Sequence, residues 1–525
     1  MRYTLFAIAV FALACAPPLS LEQGGDTGQP QDASNPVDAG DGDVGELVDA
    51  GAVDTGLPEA GAPDIGSPEA GSIDTGTPEA GPIDIGRPEA GAIDIGTPEA
   101  GPVDIGTPEA GPVDIGTPEA GPPDAGPTYA CDDLPAQCPD RNNWHPGLQE
   151  HHMVATDGCR FALTAPTDQE WTAGEALAAR LARDMGGAVS LNTVLGDLNR
   201  TGRRSVTNQT AHRLRNHAFQ GWIWNTGDNE VSYWYPQGMT GSSDAYASGL
   251  YNGRRLQLIS WYHKTNDRPT KGARVSMAEI TNNGVSYRHL LLVVPTLAGG
   301  QTSYKALHKS EVDTDALHAG GIVWYGNYLY VADTANGFRV FDMRKIARVS
   351  QTNDADRIGR SGGRSYAHNY RYIIPQVARY DTTEGSCDVN FSFAGLDRSS
   401  DPPTIISGEY KRDSIQGRIV SWFLDPATGR LDARQGLVFG QDAKVSAQTK
   451  MQGALTWQGN TYISSSSQWG NFGRLYRTRP GLESSISAWV YGCEDLYYER
   501  NTGIIWTAAE HPDFRDVVGI PLRVP

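Results

Sequence analysis

The chain has 525 residues, 39% of them hydrophobic and 20% charged, with a formal net charge of −19 at pH 7. That acidity is local: residues 22–127 hold 23 acidic side chains against the single base Arg87, a net −22, and the remainder is at +3. A nearly neutral remainder excludes a nucleic-acid groove, whose electrostatic footprint is a strong basic excess.

At the N-terminus, Arg2 precedes an apolar run from Leu5 to Ala14 and then Cys15. So short a run predicts a secretory signal rather than a bilayer-spanning helix. Its ending, Ala12-Leu13-Ala14-Cys15, resembles the lipobox of bacterial lipoproteins, with Ala12 where Leu is preferred. The resemblance implies a signal peptide over 1–14 and diacylation of Cys15. Such an anchor is firm, because each buried methylene contributes about 0.8 kcal/mol. The expected location is the cell envelope, as an outward-facing outer-membrane lipoprotein that touches the membrane only through its lipid, with a secreted form as the alternative. Five further cysteines would then meet oxidising conditions. Cys131 with Cys138 makes a natural small loop and Cys387 with Cys493 a long clamp, and the odd number leaves at least one thiol free or paired outside the chain. No CxxC pair points to zinc.

From Gly51 to Ala130 the sequence repeats every ten residues, as in GPVDIGTPEA. Each unit is rich in Gly, Pro and acids and has too few apolar side chains to offset chain entropy. Residues 15–130 are therefore expected to be a disordered, extended linker. Asp64, Asp74 and Asp84 recur too sparsely to supply the six to eight oxygens of a calcium site.

Residues 131–220 are expected to form a helical cap. Thr172-x-x-Glu175 reads as a capping box before Leu177, Leu181 and Met185, with Gly186-Gly187 behind, predicting a helix over 173–185. A weaker helix is expected over 193–199. His145, His151 and His152 form too loose a cluster to assign a metal.

Residues 221–525 change to short apolar strands between Gly, Asn, Asp and Pro turns, an all-β pattern. One module runs Gly320 to Tyr325, turns at Gly326-Asn327, and continues from Tyr328 to Ala332. Ala454 to Ser465 and Leu496 to Ala508 align with it cleanly; Ala245 to Trp261 and Ala394 to Gly408 do so less cleanly. Third strands follow at Gly272, Gly337, Gly417, Gly473 and Arg515, and fourth strands at 287–294, 370–380, 436–440 and 487–491. Five such modules predict a five-bladed β-propeller. The last module lacks a fourth strand, which either 221–225 or 232–235 supplies.

The stretch His318-Ala319-Gly320-Gly321-Ile322-Val323-Trp324-Tyr325 with Tyr328-Leu329-Tyr330-Val331-Ala332-Asp333 and Gly337-Phe338-Arg339-Val340-Phe341-Asp342 resembles a family of exported bacterial proteins. Tyr235-Pro236-Gln237-Gly238 and Gly241-Ser242-Ser243-Asp244 also belong to the resemblance, which covers roughly residue 222 to the end. It implies export and the propeller-like fold, and it carries no catalytic residues with it.

In a propeller the starts of first strands and the ends of second strands share one axial mouth. The starts offer Asp244, His318, Gln452, Glu494 and Asp495; the ends offer Trp261, His263 and Lys264, then Asp333, then Glu409, Tyr410 and Lys411, then Gln468 and Trp469, then Glu510 and His511. His318, Glu494, Asp244 and Glu409 are the candidate catalytic groups, and Trp261, Tyr410, Lys411, Trp469 and His511 the candidate ligand contacts. Flat rings beside carboxylates suit sugar. Two carboxylates suit glycoside hydrolysis, and a His or Tyr base beside a cation suits a lyase. The expected partner is an extracellular polysaccharide or surface glycan, bound by a monomer without a cofactor, with Ca2+ left open. A non-catalytic adhesin or receptor, or a structural envelope protein, is the alternative. Three bland expectations stand beside these: Asp333 serves its Asp-Thr-Ala-Asn-Gly turn, Trp324, Trp457 and Trp506 are core, and adjacent Glu494 and Asp495 face opposite ways.

Overall fold

The computed structural model describes residues 131, 134, 137–466 and 472–522. The expected signal peptide, Cys15 and the repeat linker lie outside the described residues, as do Gln468 and Trp469.

The structure is mostly β and propeller-like, built on five antiparallel arrays. The first comprises Trp234–Gly241, Leu256–His263, Ala273–Thr281 and Gly284–Ala298. The second comprises Ile322–Tyr325, Tyr328–Asp333, Gly337–Asp342 and Tyr372–Thr382. The third runs Phe393–Asp397, Thr404–Gly408, Gly417–Phe423 and Asp442–Ser446, with Met153–Thr156 added at its edge. Met451–Trp457, Asn460–Ser465, Arg474–Thr478 and Ser485–Ala488 make the fourth. Tyr497–Glu499, Ile504–Ala508 and Asp516–Pro521 make the fifth, whose last strand pairs with Gln220–Ile223. Strands such as Tyr328–Asp333 are apolar and buried along their whole length because their arrays are covered on both faces.

The first strands of the arrays neighbour one another in a ring. Glycine makes this approach possible, since a side chain would collide with the next backbone. A Cβ at Gly321 would lie 1.8 Å from Ala394 N, and one at Gly453 would lie 2.6 Å from Asp495 Cα; Gly238 and Gly395 abut Ile322 and Ala454 in the same way. Asp495 ties the ring from inside: fully buried, its Oδ2 accepts from Met239 N at 3.1 Å and Ile322 N at 3.4 Å.

The repeat holds its expected phase in four modules and departs from it in the first. Residues 245–251 are not its first strand; Trp234–Gly241 is. Of the two closing segments, Gln220–Ile223 completes the fifth array, and 232–235 belongs to the first. The fourth strand of the third array is Asp442–Ser446, because Leu437–Phe439, expected there, pairs instead with Ala162–Thr164.

In residues 137–219, the main helix is Asp168–Asp184, starting ahead of the expected 173. Its capping box is Thr167 with Glu170: Thr167 Oγ1 accepts from Glu170 N, and the Glu170 carboxylate accepts from Thr167 N at 2.8 Å. Two Thr-x-x-Glu segments follow one another here, and the earlier start brings Trp171 into the core, 1% exposed, edge-on to Tyr328. The second helix is Leu191–Leu195 rather than 193–199. Three strands from this segment, Met153–Thr156, Ala162–Thr164 and Arg200–Gly202, join sheets of the arrays, so it is more than a helical cap.

The disulfides correct both expected pairings. Cys131 bonds Cys159 and Cys138 bonds Cys387, while Cys493 is a free, buried thiol. Pairing follows Cα–Cα approach, here 5.3 and 5.5 Å, which loop length does not reveal. Burial first of all pushes the Cys493 thiol up to about 12, so it is inert as a nucleophile. Because Cys138 and Cys387 lie 249 residues apart, replacing both by serine is expected to lower stability by about 2–4 kcal/mol. An unchanged urea midpoint would show that this bridge does not constrain the unfolded chain.

Candidate functional site

At the axial mouth the chain gathers two glutamates. Glu494 precedes the first strand of the fifth array and Glu510 follows the second. Glu494 N donates to Ala508 O at 3.0 Å and Glu510 N to Gly492 O at 2.9 Å, so the two residues sit diagonally on neighbouring strands. Gln452 Nε2 donates to Glu494 Oε1 at 3.0 Å, and Gln237 Nε2 to Glu510 Oε2 at 3.2 Å. Gln237 reaches in because a bulge between Pro236 and Met239 lifts it from the ladder.

The two carboxyls have different surroundings. Glu494 is 2% exposed, and burial, then the charges of Glu510 and Asp495, hold it protonated well above the usual carboxylate range. The Glu510 side chain is 21% exposed. Burial raises it too, but His511, Lys264 and Arg515 nearby and the Gln237 hydrogen bond draw it back. Both carboxyls are raised, Glu494 the more strongly, so of the two Glu494 holds its proton more firmly, the ordering expected of a proton donor in a carboxyl pair. Half-buried Tyr410 feels both charges, and its hydroxyl is raised, by burial first. His511 Nδ1 lies 3.7 Å from Glu510 and its ring is 4.6 Å from that of Tyr491. His318 is half-buried at the approach to the second array, 4.3 Å ring to ring from Tyr262.

Other expected members have different roles. Glu409 is no free acid: fully buried, it accepts two hydrogen bonds from Arg418, at 2.7 and 2.5 Å, and one from Arg141 at 3.0 Å, which hold it below the usual range despite burial. Trp261 is no ligand platform: it is 0% exposed and donates Nε1–H to Ser276 Oγ at 2.7 Å. Lys411 Nζ donates to Arg141 O at 2.7 Å and fastens the 140–145 segment. Asp333 takes Arg339 at 2.7 Å and Asn336 at 3.0 Å within its turn. Trp324 and Trp506 are buried, and half-buried Trp457 packs on Tyr498. Trp469 lies outside the described residues.

Asp244 lies at the other end of the axis. It follows the end of the first strand of the first array, and Arg398 and Arg500, each just past the end of another first strand, donate to the Asp244 and Ser243 carbonyls. Because the first strand is Trp234–Gly241 rather than 245–251, Asp244 follows its end instead of opening it. Burial raises its carboxyl to about 7 against the pull of Thr240 and the two arginines. Between about pH 4 and 7 the unfolded chain has released a proton that the native state keeps, so stability falls as pH rises through this window and levels off above it. Asp244→Asn is expected to remove about 1 kcal/mol per pH unit of that fall, measured as urea midpoints at pH 5 and 8; identical slopes would show Asp244 already ionised.

Sequence reading missed Gln237 and gave Glu510 no role. Tyr235-Pro236-Gln237-Gly238 held the signal, since Pro inside a strand run marks a bulge or edge. Among the described residues no group of three or more His, Cys, Asp or Glu side chains is placed to hold a metal, and no helix is long and apolar enough to cross a membrane.

The chain matches no protein-family model and no curated protein sequence. Among solved structures it is similar to a GH43_1 enzyme from Xanthomonas citri, at 8% identity and a TM-score of 0.29, over 61% of this chain and 94% of that one. RS223 β-xylosidase has the same identity and TM-score over 57% of this chain and 94% of its own. Hydrazine synthase of Kuenenia stuttgartiensis is 11% identical with a TM-score of 0.27, over 53% and 75%. At these TM-scores neither fold nor activity transfers, and the site stands on its own residues.

Proposed function

We propose that the five arrays are the blades of a five-bladed β-propeller carried by an exported lipoprotein, and that its axial mouth binds and hydrolyses an extracellular glycan. The single observation behind this is the Glu494–Glu510 pair, one carboxyl buried and proton-holding, the other more exposed and flanked by cations. In a hydrolytic step Glu494 would protonate the glycosidic oxygen, and Glu510 would attack the anomeric carbon or activate water there. Tyr410 and His511 would supply flat faces for the sugar, and Gln237 and Gln452 would orient the acids. A chain anchored at Cys15 on a linker ending near residue 130 would hold this mouth out among surface polysaccharides.

The test is incubation of the full chain with a polysaccharide panel. Release of reducing ends, lost in Glu494→Gln/Glu510→Gln, is the expected result. Retention of a glycan without turnover would replace hydrolysis by a binding role, and release of unsaturated uronate would replace it by elimination.

A further inference from the structure

A cleft of 340 Å3 opens beside the first array, lined among others by Arg200, Asp228, Trp234, Lys271, Arg274 and His368. Its size is at the low end for small-ligand sites, suited to one sugar unit. Asp228 is the one carboxylate of the lining, and it is fully engaged. Its Oδ1 accepts from Arg274 at 3.2 Å and His289 Nε2 at 2.9 Å, and its Oδ2 from Tyr287 at 2.8 Å and Arg200 at 3.0 Å. His289 adds no charge: Trp261 donates to Ser276 Oγ, Ser276 donates to His289 Nδ1 at 2.7 Å, and burial lowers the imidazole to about 3. Three cations therefore face one carboxylate.

Among the described residues that surplus is left unbalanced. Lys271 is half-buried, and its Nζ makes no hydrogen bond or ion pair among the described residues. Arg274, 4% exposed, lies with its guanidinium 4.4 Å from the Trp234 ring and 4.6 Å from that of Trp261, and its Nε is buried without a hydrogen-bond partner among the described residues. Burial and the Lys271 charge push His263 down to about 4 and lower His368 as well, as expected near unbalanced positive charge. Beside these cations Tyr233 is 49% exposed, an aromatic face available to a ligand. Arg515 links the cleft to the axis, donating Nε to Glu510 O at 2.8 Å and Nη1 to Asp228 O at 2.7 Å.

We propose that this cleft is an oxyanion subsite that holds the carboxylate or sulfate of an acidic sugar unit, with Lys271 and the arginine pair as its cations. As a subsite of the axial mouth it rests on the glycan reading; as an oxyanion site it is testable alone. Charge-assisted hydrogen bonds to Lys271 and Arg274 would orient the acid group, and Tyr233 would stack on the ring.

The experiment is calorimetric titration of the full chain and its Lys271→Gln and Glu510→Gln variants with glucuronate, glucose 6-sulfate and glucose. The expected result is saturable binding of one or both acidic sugars, weakened at least about tenfold by Lys271→Gln, preserved in Glu510→Gln, and absent for glucose. Which acidic sugar binds more tightly separates carboxylate from sulfate. Equal affinity of wild type and Lys271→Gln, or no saturable binding of either acid, would overturn the subsite. Binding of an acidic sugar without turnover of any polysaccharide would leave the subsite standing and remove the hydrolytic reading.

Discussion

Glu510→Gln and Glu494→Gln are each expected to lower turnover of a susceptible glycan by about 10²–10⁴-fold, the range for a positioned proton-transfer group. The pH profile separates their roles. In the proposed reaction Glu494 donates a proton, so activity would be lost as pH rises through its raised ionisation; Glu510 would act ionised, so activity would be lost as pH falls through its own. Both carboxyls are raised, Glu494 the more strongly, so the profile should lie above the range of an ordinary exposed pair. The two share a field and titrate as a coupled pair, so each limb belongs to the pair and the variants report which residue dominates it. Glu510→Gln should erase the acidic limb and Glu494→Gln the alkaline one. The reverse pattern would exchange the roles, and an unchanged rate in either variant would remove that residue from the reaction. Gln preserves shape at both positions, and Gln452 already meets Glu494 through an amide, so a loss of rate with an intact urea transition is chemistry rather than unfolding.

Arg418→Ala is expected to cost about 3–5 kcal/mol of stability, because it strands a buried carboxylate. Glu409 is fully buried, and Arg418 is 1% exposed, over the Trp144 ring at 4.7 Å. With the Arg418 side chain gone, Glu409 keeps Arg141, whose side chain is 42% exposed, the charge of Lys411 nearby, and the backbone amides of residues 418 and 390. The discriminating comparison is Glu409→Gln/Arg418→Met, which replaces charge by shape and should recover most of the loss, since a buried ion pair is worth little against a packed neutral pair. Denaturation midpoints check both. A single variant within about 0.5 kcal/mol of wild type would mean that water reaches Glu409 and the pair is not sealed.

The same residue shows where inference along the chain reaches its limit. Glu409 was expected at the mouth because it follows a second strand, and that placement is correct in topology. What the residue does there depends on Arg418, nine residues away and on the next strand, which neutralises it. Trp261 likewise lies near the end of a second strand, yet neighbouring rings from 224 and 289 cover it. Asp244 failed for a different reason. Asn252-Gly253 mimics the turn that marks the other modules, but it closes only a local Tyr251–Arg254 bridge, while the true first strand, with Pro236 and a bulge, lies upstream.

The amino-acid order by itself determined four of the five strand-turn-strand modules, narrowed the closing strand to two segments, and set Glu494, Glu510 and Tyr410 beside the ends of inner strands. These follow from short-range turn chemistry and from repeat phase, both of which are written locally. Tertiary structure alone decided the disulfide partners, which carboxyls are raised by burial, and which cations crowd beside the single carboxylate Asp228. Those properties depend on burial and on distances between residues far apart in sequence, and electrostatic energy in a desolvated interior is set by the distances among groups rather than by their order.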